Sequence, residues 1–171
     1  MNIHNDNTHH AFTVTLPFRI DQEHRDEPPQ AQNEPTFITL NGMKILAAED
    51  NALNAEILQF MMEDVGAKIK LVSNGKALVE EFEQHAPGTY DCILSDIMMP
   101  VMDDYEATRK IRSMNRADAK TIPIIALTAN AFVEDANKAK AAGMNAHITK
   151  PIEIEKLKEC LANLPNLQRQ S

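Results

Sequence analysis

Two kinds of hydrophobic pattern alternate along the chain from about residue 43 onward. Short, nearly continuous apolar runs, typical of strands covered on both faces, occupy residues 45–48, 69–72, 90–95, 123–127 and 146–148. Between them, apolar residues recur every three or four positions, as on one face of a helix, over about 52–65, 75–85, 104–114, 131–141 and 153–163. Strand–helix pairs that alternate in this way predict an α/β fold, a doubly wound five-stranded parallel sheet with five helices.

The first 41 residues have a different composition from the rest. They hold four of the six histidines and four of the nine prolines, together with many other polar residues. Such a segment has too little apolar surface to bury, so residues 1–41 are predicted to be mostly a disordered tail and linker. One alternating run, residues 12–16, predicts a single strand. Residues 42–165 are expected to form the folded domain and residues 166–171 a C-terminal tail.

Charge and composition exclude several classes of protein. A formal net charge of -8 disfavours nonspecific binding to nucleic acid. Membrane insertion is not expected, because no apolar run approaches the roughly 18 residues that a spanning helix needs. The two cysteines, Cys92 and Cys160, are too few for a disulfide framework or a cysteine metal site. A reducing, cytoplasmic location is therefore the expectation.

Polar residues that could carry chemistry follow four of the five predicted strands: Glu49 and Asp50, Asp96, Thr128, and Lys150. Because ligands of open parallel sheets bind beyond the carboxyl ends of the strands, these side chains should converge at one edge. Clustered carboxylates need a counter-charge, and their oxygens are the ligands that Mg²⁺ prefers. A carboxylate beside such a cation can attack a phosphoryl group, with a lysine and a hydroxyl stabilising the transferred charge.

Four strings at the strand ends are similar to those of a known family: ILAAEDN at 45–51, ILSDIMMPVMD at 93–103, ALTANA at 126–131 and ITKP at 148–151. Together they resemble the receiver domain of response regulators, of the CheY-like type found at the C-terminus of hybrid sensor histidine kinases. The resemblance implies a flavodoxin-like strand order, 2-1-3-4-5. It also implies a two-component phosphorelay module that accepts a phosphoryl group from phosphohistidine and signals by conformational change, promoting only its own phosphoryl transfer and autodephosphorylation.

The resemblance also implies a role for each site residue. Asp96 would be the phosphoacceptor, and Mg²⁺ would be held by Glu49, Asp50, Asp96 and the backbone carbonyl of Met98. The phosphoryl-binding and switch residues would be Thr128, Lys150 and His147, and His147 is expected to be partly buried. Met98 and Asn130 occupy the positions that tune hydrolysis.

Partners follow from the same resemblance. The phosphodonor would be a sensor histidine kinase or a histidine phosphotransfer domain. A downstream protein would bind the face formed by the fourth helix, the fifth strand and the fifth helix, about 130–163. Residues 12–18 resemble the last strand of a histidine-kinase ATP-binding domain, which would make the chain a fragment of a hybrid kinase or a gene left over from a larger kinase.

Asp104 departs from the family pattern, which usually has a glycine there to allow a positive φ. Aspartate tolerates left-handed geometry better than most residues, so the turn is expected to form at some cost. This departure leaves open an alternative function, a phosphate-independent receiver-like interaction module. A third hypothesis, a metal-dependent phosphohydrolase of a related fold, ranks last because its nucleophile would follow the first strand.

Overall fold

The computed structural model describes residues 2–6, 9–13, 39–97, 99–129 and 133–164. Near the N-terminus, strands β1 (Asn2–Asp6) and β2 (His9–Thr13) pair in antiparallel fashion as a unit separate from the main sheet. The strand predicted over 12–16 overlaps β2 at its first two residues, and residues 14–16 lie outside the described part of the chain. Most of the predicted linker lies outside it as well.

The main sheet has five strands: β3 (Lys44–Ala48), β4 (Lys68–Val72), β5 (Cys92–Asp96), β6 (Ile124–Thr128) and β7 (Ala146–Thr149). All four pairings are parallel, and the spatial order is β4-β3-β5-β6-β7. Counted within this sheet, that is the order 2-1-3-4-5. The predicted doubly wound α/β fold is therefore confirmed.

Five helices connect or follow these strands: α1 (Ala52–Asp64), α2 (Gly75–Gln84), α3 (Asp104–Ser113), α4 (Val133–Ala142) and α5 (Ile154–Ala162). Three of them begin after a residue whose side chain accepts hydrogen bonds from the first-turn amides: Asn51, Asn74 and Asp103. Such caps satisfy backbone donors that the helix leaves unpaired, so they fix where these helices start. None of the helices in the described part of the chain combines the length and hydropathy of a membrane span.

The central strands are buried on both faces. Successive residues of β3 alternate between two core clusters: Ile45 packs in the one that includes Leu58 of α1 and Leu157 of α5, whereas Leu46 packs in the one that includes Phe82 of α2 and Ile111 of α3. Each fully buried side chain of this size contributes about 1.5–3 kcal/mol. The resulting double-sided core holds the strand ends in place, and those ends position the site.

The geometry around Asp104 differs from the expectation. Asp103 caps α3, so Asp104 is the first residue of the helix and takes a helical conformation. Among the described non-glycine residues, a positive φ occurs only at Val101, where it is 74°. The prediction of left-handed geometry at Asp104 was therefore wrong. The unusual feature of this residue is instead its burial, which is complete.

Candidate functional site

Three carboxylates meet at the carboxyl-end edge of the sheet. Glu49 and Asp50 directly follow β3, and Asp96 is the last residue of β5. The two strands pair with Ala48 opposite Ser95, which brings their ends side by side. One oxygen from each of the three carboxylates lies within 4.8 Å of the others. We refer to this group and the lysine described next as the acidic pocket.

Lys150 reaches the pocket from the end of β7, the last strand in the sheet order. It follows β7, and its backbone N–H donates to the carbonyl of Thr128 over 2.7 Å. Its Nζ lies 2.6 Å from Oε2 of Glu49 and 2.8 Å from Oδ2 of Asp96. One ammonium therefore bridges the ends of β3 and β5, as the placement of these residues after strands predicted.

Glu49 is the most enclosed of the three acids. Its residue is 4% exposed, and its second carboxylate oxygen, Oε1, accepts a hydrogen bond of 3.0 Å from Nδ2 of Asn54 on α1. The backbone N–H of Asn51 donates to the same oxygen over a longer distance, 3.4 Å. Each carboxylate oxygen thus has its own donor, which a buried carboxylate requires.

The pocket carries more negative charge than its lysine can balance. Burial raises the pKa of Asp96, Lys150 opposes this, and the neighbouring acids add to it. Burial lowers the pKa of Lys150, but its hydrogen bonds to Asp96 and Glu49 outweigh that effect and the pKa is raised. Among the described residues of the pocket, three carboxylates thus face one ammonium. A divalent cation would neutralise the excess, and the donor set is the hard oxygen type that Mg²⁺ prefers.

The other predicted site residues lie at different distances from this cluster. Thr128 ends β6 beside the pocket, is buried, and pairs in register with Thr149 of β7. His147 lies on β7, the last strand of the sheet order, and is exposed rather than partly buried as expected. Strand alternation explains the difference, because Ile148 takes the core-facing position next to it.

Two predicted site residues, Met98 and Asn130, lie outside the described part of the chain. The roles expected for them in metal binding and in hydrolysis remain predictions.

One contributor to the pocket had no role in the sequence interpretation. Asn54 lies just beyond the string at residues 45–51 that carries part of the resemblance, and its contact with Glu49 depends on a side-chain conformation that spacing does not reveal. The sequence signal that could have revealed this contact is the position of Asn54 in the first turn of α1, which begins three residues after Glu49.

Beside the pocket, α1 presents apolar side chains to solvent. Leu53, Ile57 and Phe60 are spaced by four and three residues, so they follow one helix face, and they are 65%, 50% and 73% exposed. Ile57 also lines a small cavity together with Glu49 and Lys150. Where exposed apolar residues form a contiguous patch, that surface can serve for contact with another protein.

Comparison with known proteins gives consistent results. The model of the response regulator receiver domain family matches residues 45–162. The peroxide stress-activated histidine kinase mak1 of Schizosaccharomyces pombe is 35% identical over 132 residues, which cover 77% of this chain but 8% of that protein. The chain therefore spans a small fraction of the length of this curated relative.

Many solved structures are similar to the chain, and two of them are receiver domains of named signalling proteins. The first is the receiver domain of the sensor histidine kinase PA1611 from Pseudomonas aeruginosa PAO1, with a magnesium ion coordinated in its active site cleft. It is 37% identical, with a TM-score of 0.63, covering 72% of this chain and 97% of that one. The second is the receiver domain of Ssk1 from Saccharomyces cerevisiae, co-crystallised with the histidine phosphotransfer protein Ypd1. It is 28% identical, with a TM-score of 0.60, covering 69% and 85%.

Proposed function

The chain belongs to the response regulator receiver domain family, and we propose that it accepts a phosphoryl group from phosphohistidine on Asp96 and signals by conformational change. The observation that carries this proposal is the position of Asp96. Its carboxylate ends a central strand, contacts Lys150 over 2.8 Å, and lies beside two further acids that can hold a cation. The domain itself is the phosphoryl acceptor, so the reaction needs no second acceptor substrate.

For phosphoryl transfer, the main contributions of the protein are the position and the charge of its side chains. A carboxylate oxygen of Asp96 attacks phosphorus, and the bond from phosphorus to the donor imidazole breaks, leaving that imidazole with the electron pair. Once the Asp96 carboxylate has become an acyl phosphate, Lys150 is close enough to pair with the phosphoryl oxygens. Thr128, which ends the next strand, is proposed to donate its hydroxyl to the same group. These two contacts would couple phosphorylation to movement at β6 and β7.

Metal binding is part of the proposal. Glu49, Asp50 and Asp96 would hold Mg²⁺, directly or through water, and Met98 is expected to add its carbonyl. A cation bound there supplies positive charge to a loose phosphoryl-transfer transition state. The support is the excess of carboxylates over ammonium groups in the described pocket, together with the magnesium ion in the related receiver of PA1611.

Incubation with Mg²⁺ and acetyl phosphate, followed by intact-mass measurement, tests the phosphoacceptor claim. The wild-type protein should gain one phosphoryl group and Asp96→Asn should gain none. Asp64→Asn, a change at an exposed aspartate at the end of α1, is the matched control and should behave like the wild type. No gain in the wild type, or a gain that survives Asp96→Asn, would favour the phosphate-independent interaction module instead.

The proposed phosphodonor is a sensor histidine kinase or a histidine phosphotransfer domain, as the complex of the related Ssk1 receiver with Ypd1 supports. The exposed stripe of Leu53, Ile57 and Phe60 offers such a protein an apolar surface beside the cavity that Ile57 lines with Glu49 and Lys150. Phe60→Ser should therefore slow transfer from a phosphorylated histidine phosphotransfer domain but leave labelling by acetyl phosphate unchanged. Equal slowing with both donors would place the defect in the pocket and not at the surface.

We further propose the domain division given by the sequence, with the receiver over 42–165, the tail over 166–171 and residues 12–18 as a remnant of a kinase ATP-binding domain. A downstream protein is proposed to bind the face of α4, β7 and α5. Alanine substitutions at exposed positions of α5 that leave phosphorylation intact and abolish capture of that protein would support this surface.

A further inference from the structure

The Glu49 carboxylate is held from two directions by groups that are far apart in sequence. Its side chain is 2% exposed, with Oε2 paired to Lys150 at 2.6 Å and Oε1 accepting from the Asn54 amide at 3.0 Å. Lys150, the first donor, follows the last strand of the sheet. Asn54, the second donor, lies near the start of α1. The orientation of Glu49 therefore depends on α1 as well as on the strand ends.

We propose that Asn54 is a positioning residue. It binds Oε1 of Glu49, which keeps Oε2 on Lys150, and it thereby sets the cation affinity of the acidic pocket. Partners that orient a metal-binding carboxylate without touching the metal commonly change affinity by about 10- to 100-fold when removed. The extension of this idea to the phosphorylation rate rests on the proposed function. The cation affinity rests on the metal binding proposed above and not on the phosphoacceptor chemistry.

The physical reason lies in what remains when the Asn54 amide is removed. Glu49 then keeps only the longer contact from the Asn51 N–H, at 3.4 Å, on that oxygen. A buried carboxylate oxygen without a good donor is costly, so the side chain would rotate to recover one. Rotation moves Oε2 away from Lys150, and the ammonium is then shared less evenly with Asp96. The three acids no longer present a preorganised set of oxygens to a cation.

Within the described part of the chain, the Asn54 side-chain amide makes no hydrogen bond other than that to Glu49. The cap of α1 is Asn51, whose side chain accepts from the amides of Leu53 and Asn54. Asn54 itself is exposed apart from the amide that reaches Glu49. Leucine has a higher helix propensity than asparagine, so Asn54→Leu removes the donor without weakening the helix.

Calorimetric titration with Mg²⁺ of the full-length chain measures the effect. Asn54→Leu should weaken Mg²⁺ binding about tenfold, and the variant should still unfold in a single cooperative transition in the absence of Mg²⁺. The matched control is Gln59→Leu, which removes a similar amide–carboxylate contact of 2.8 Å, to Glu63 on the solvent side of the same helix, and should leave Mg²⁺ affinity unchanged. Unchanged or tighter binding in Asn54→Leu would overturn the proposal.

A double-mutant cycle shows whether Asn54 acts through Glu49. In a Glu49→Gln background, Asn54→Leu should alter Mg²⁺ affinity less than twofold, because the carboxylate it orients is gone. A full tenfold effect in that background would mean that Asn54 acts by another route. Labelling by acetyl phosphate at low Mg²⁺ should slow in Asn54→Leu and recover at saturating Mg²⁺. If the wild type is not labelled at all, the proposed function fails, while the titrations still decide the role of Asn54.

Discussion

Two charged clusters lie at opposite edges of the same sheet and are built in opposite ways. At the amino-end edge, before β6, Arg116 and Asp118 form a two-pronged ion pair with distances of 2.6 and 3.0 Å. Arg116 also donates to the carbonyls of Phe82 and His85 and lies 3.9 Å above the Phe82 ring, and Asp118 accepts from the N–H of Gly88. We refer to this pair and its contacts as the amino-edge clamp.

The clamp is balanced and the acidic pocket is not. The hydrogen bond from Arg116 is the largest cause of the lowered pKa of Asp118, so its ionised form is favoured in the folded protein. Burial raises the pKa of Asp96 in the pocket, and the nearby acids add to this. The clamp therefore stabilises the fold, whereas the pocket retains unfavourable charge that a cation or a phosphoryl group can relieve. Such local conflict is expected at functional sites.

The largest effect on stability should come from breaking the clamp. Arg116→Met leaves the Asp118 carboxylate, 15% exposed, without its charge partner and two backbone carbonyls without a donor. Loss of one partner of a buried pair typically costs 3–5 kcal/mol, and for this partly exposed pair we expect about 3 kcal/mol in urea unfolding. Mg²⁺ affinity should not change, since the clamp lies at the other edge. A loss below about 1 kcal/mol would show that the two clusters do not differ as described.

The second effect concerns Asp104, a buried acid that belongs to neither cluster. Burial raises its pKa to about 7. The N–H groups of Tyr105 and of Asp104 itself oppose this increase, but neither carboxyl oxygen completes a hydrogen bond within the described part of the chain. Asp104→Ala should therefore stabilise the protein by about 2 kcal/mol at pH 8, because it removes a buried and unpaired charge.

The pH dependence of this gain has a definite sign. An acid whose pKa is higher in the folded state binds its proton more tightly there, so folding loses stability as the pH rises from about 4 to about 7. The advantage of Asp104→Ala should grow over that window and be smallest near pH 4. Asp104→Asn is the control: it removes the charge and the pH dependence but keeps an unsatisfied polar group, so its gain should be smaller. An advantage independent of pH would contradict the assignment to Asp104.

A smaller effect is expected for the lysine of the pocket. Lys150→Met leaves Glu49 and Asp96 without their ammonium, and we expect a loss of about 1 kcal/mol in the absence of Mg²⁺ because Lys150 is 22% exposed and its contribution is screened. Mg²⁺ should stabilise this variant more than the wild type, since a cation replaces the lost charge. Thermal unfolding with and without Mg²⁺ measures both. Arg116→Met, as a control, should respond to Mg²⁺ like the wild type.

The sequence predicts the pocket better than it predicts the clamp, for physical reasons. Glu49, Asp96 and Lys150 follow buried strands, and parallel topology brings such positions to one edge whatever the loops do. Arg116 and Asp118 lie between α3 and β6, where periodicity carries no signal, and the backbone groups that they contact are 30 to 34 residues away. The exposure of His147 and the helical conformation of Asp104 were also missed, since they depend on an edge strand and on the cap that precedes α3.

The smallest effect should come from an ion pair that is neither buried nor crowded. Glu106 and Lys110 lie one turn apart on α3 at 3.0 Å, with side chains 49% and 48% exposed. Water screens such a pair and holding both side chains costs entropy, so Lys110→Met should change the free energy of unfolding by no more than about 0.5 kcal/mol. Urea unfolding of Lys110→Met and Arg116→Met under the same conditions compares the two pairs directly, because both variants replace a cation by methionine. A loss for Lys110→Met as large as that for Arg116→Met would mean that burial and hydrogen bonding do not set the contribution of charge pairs in this fold.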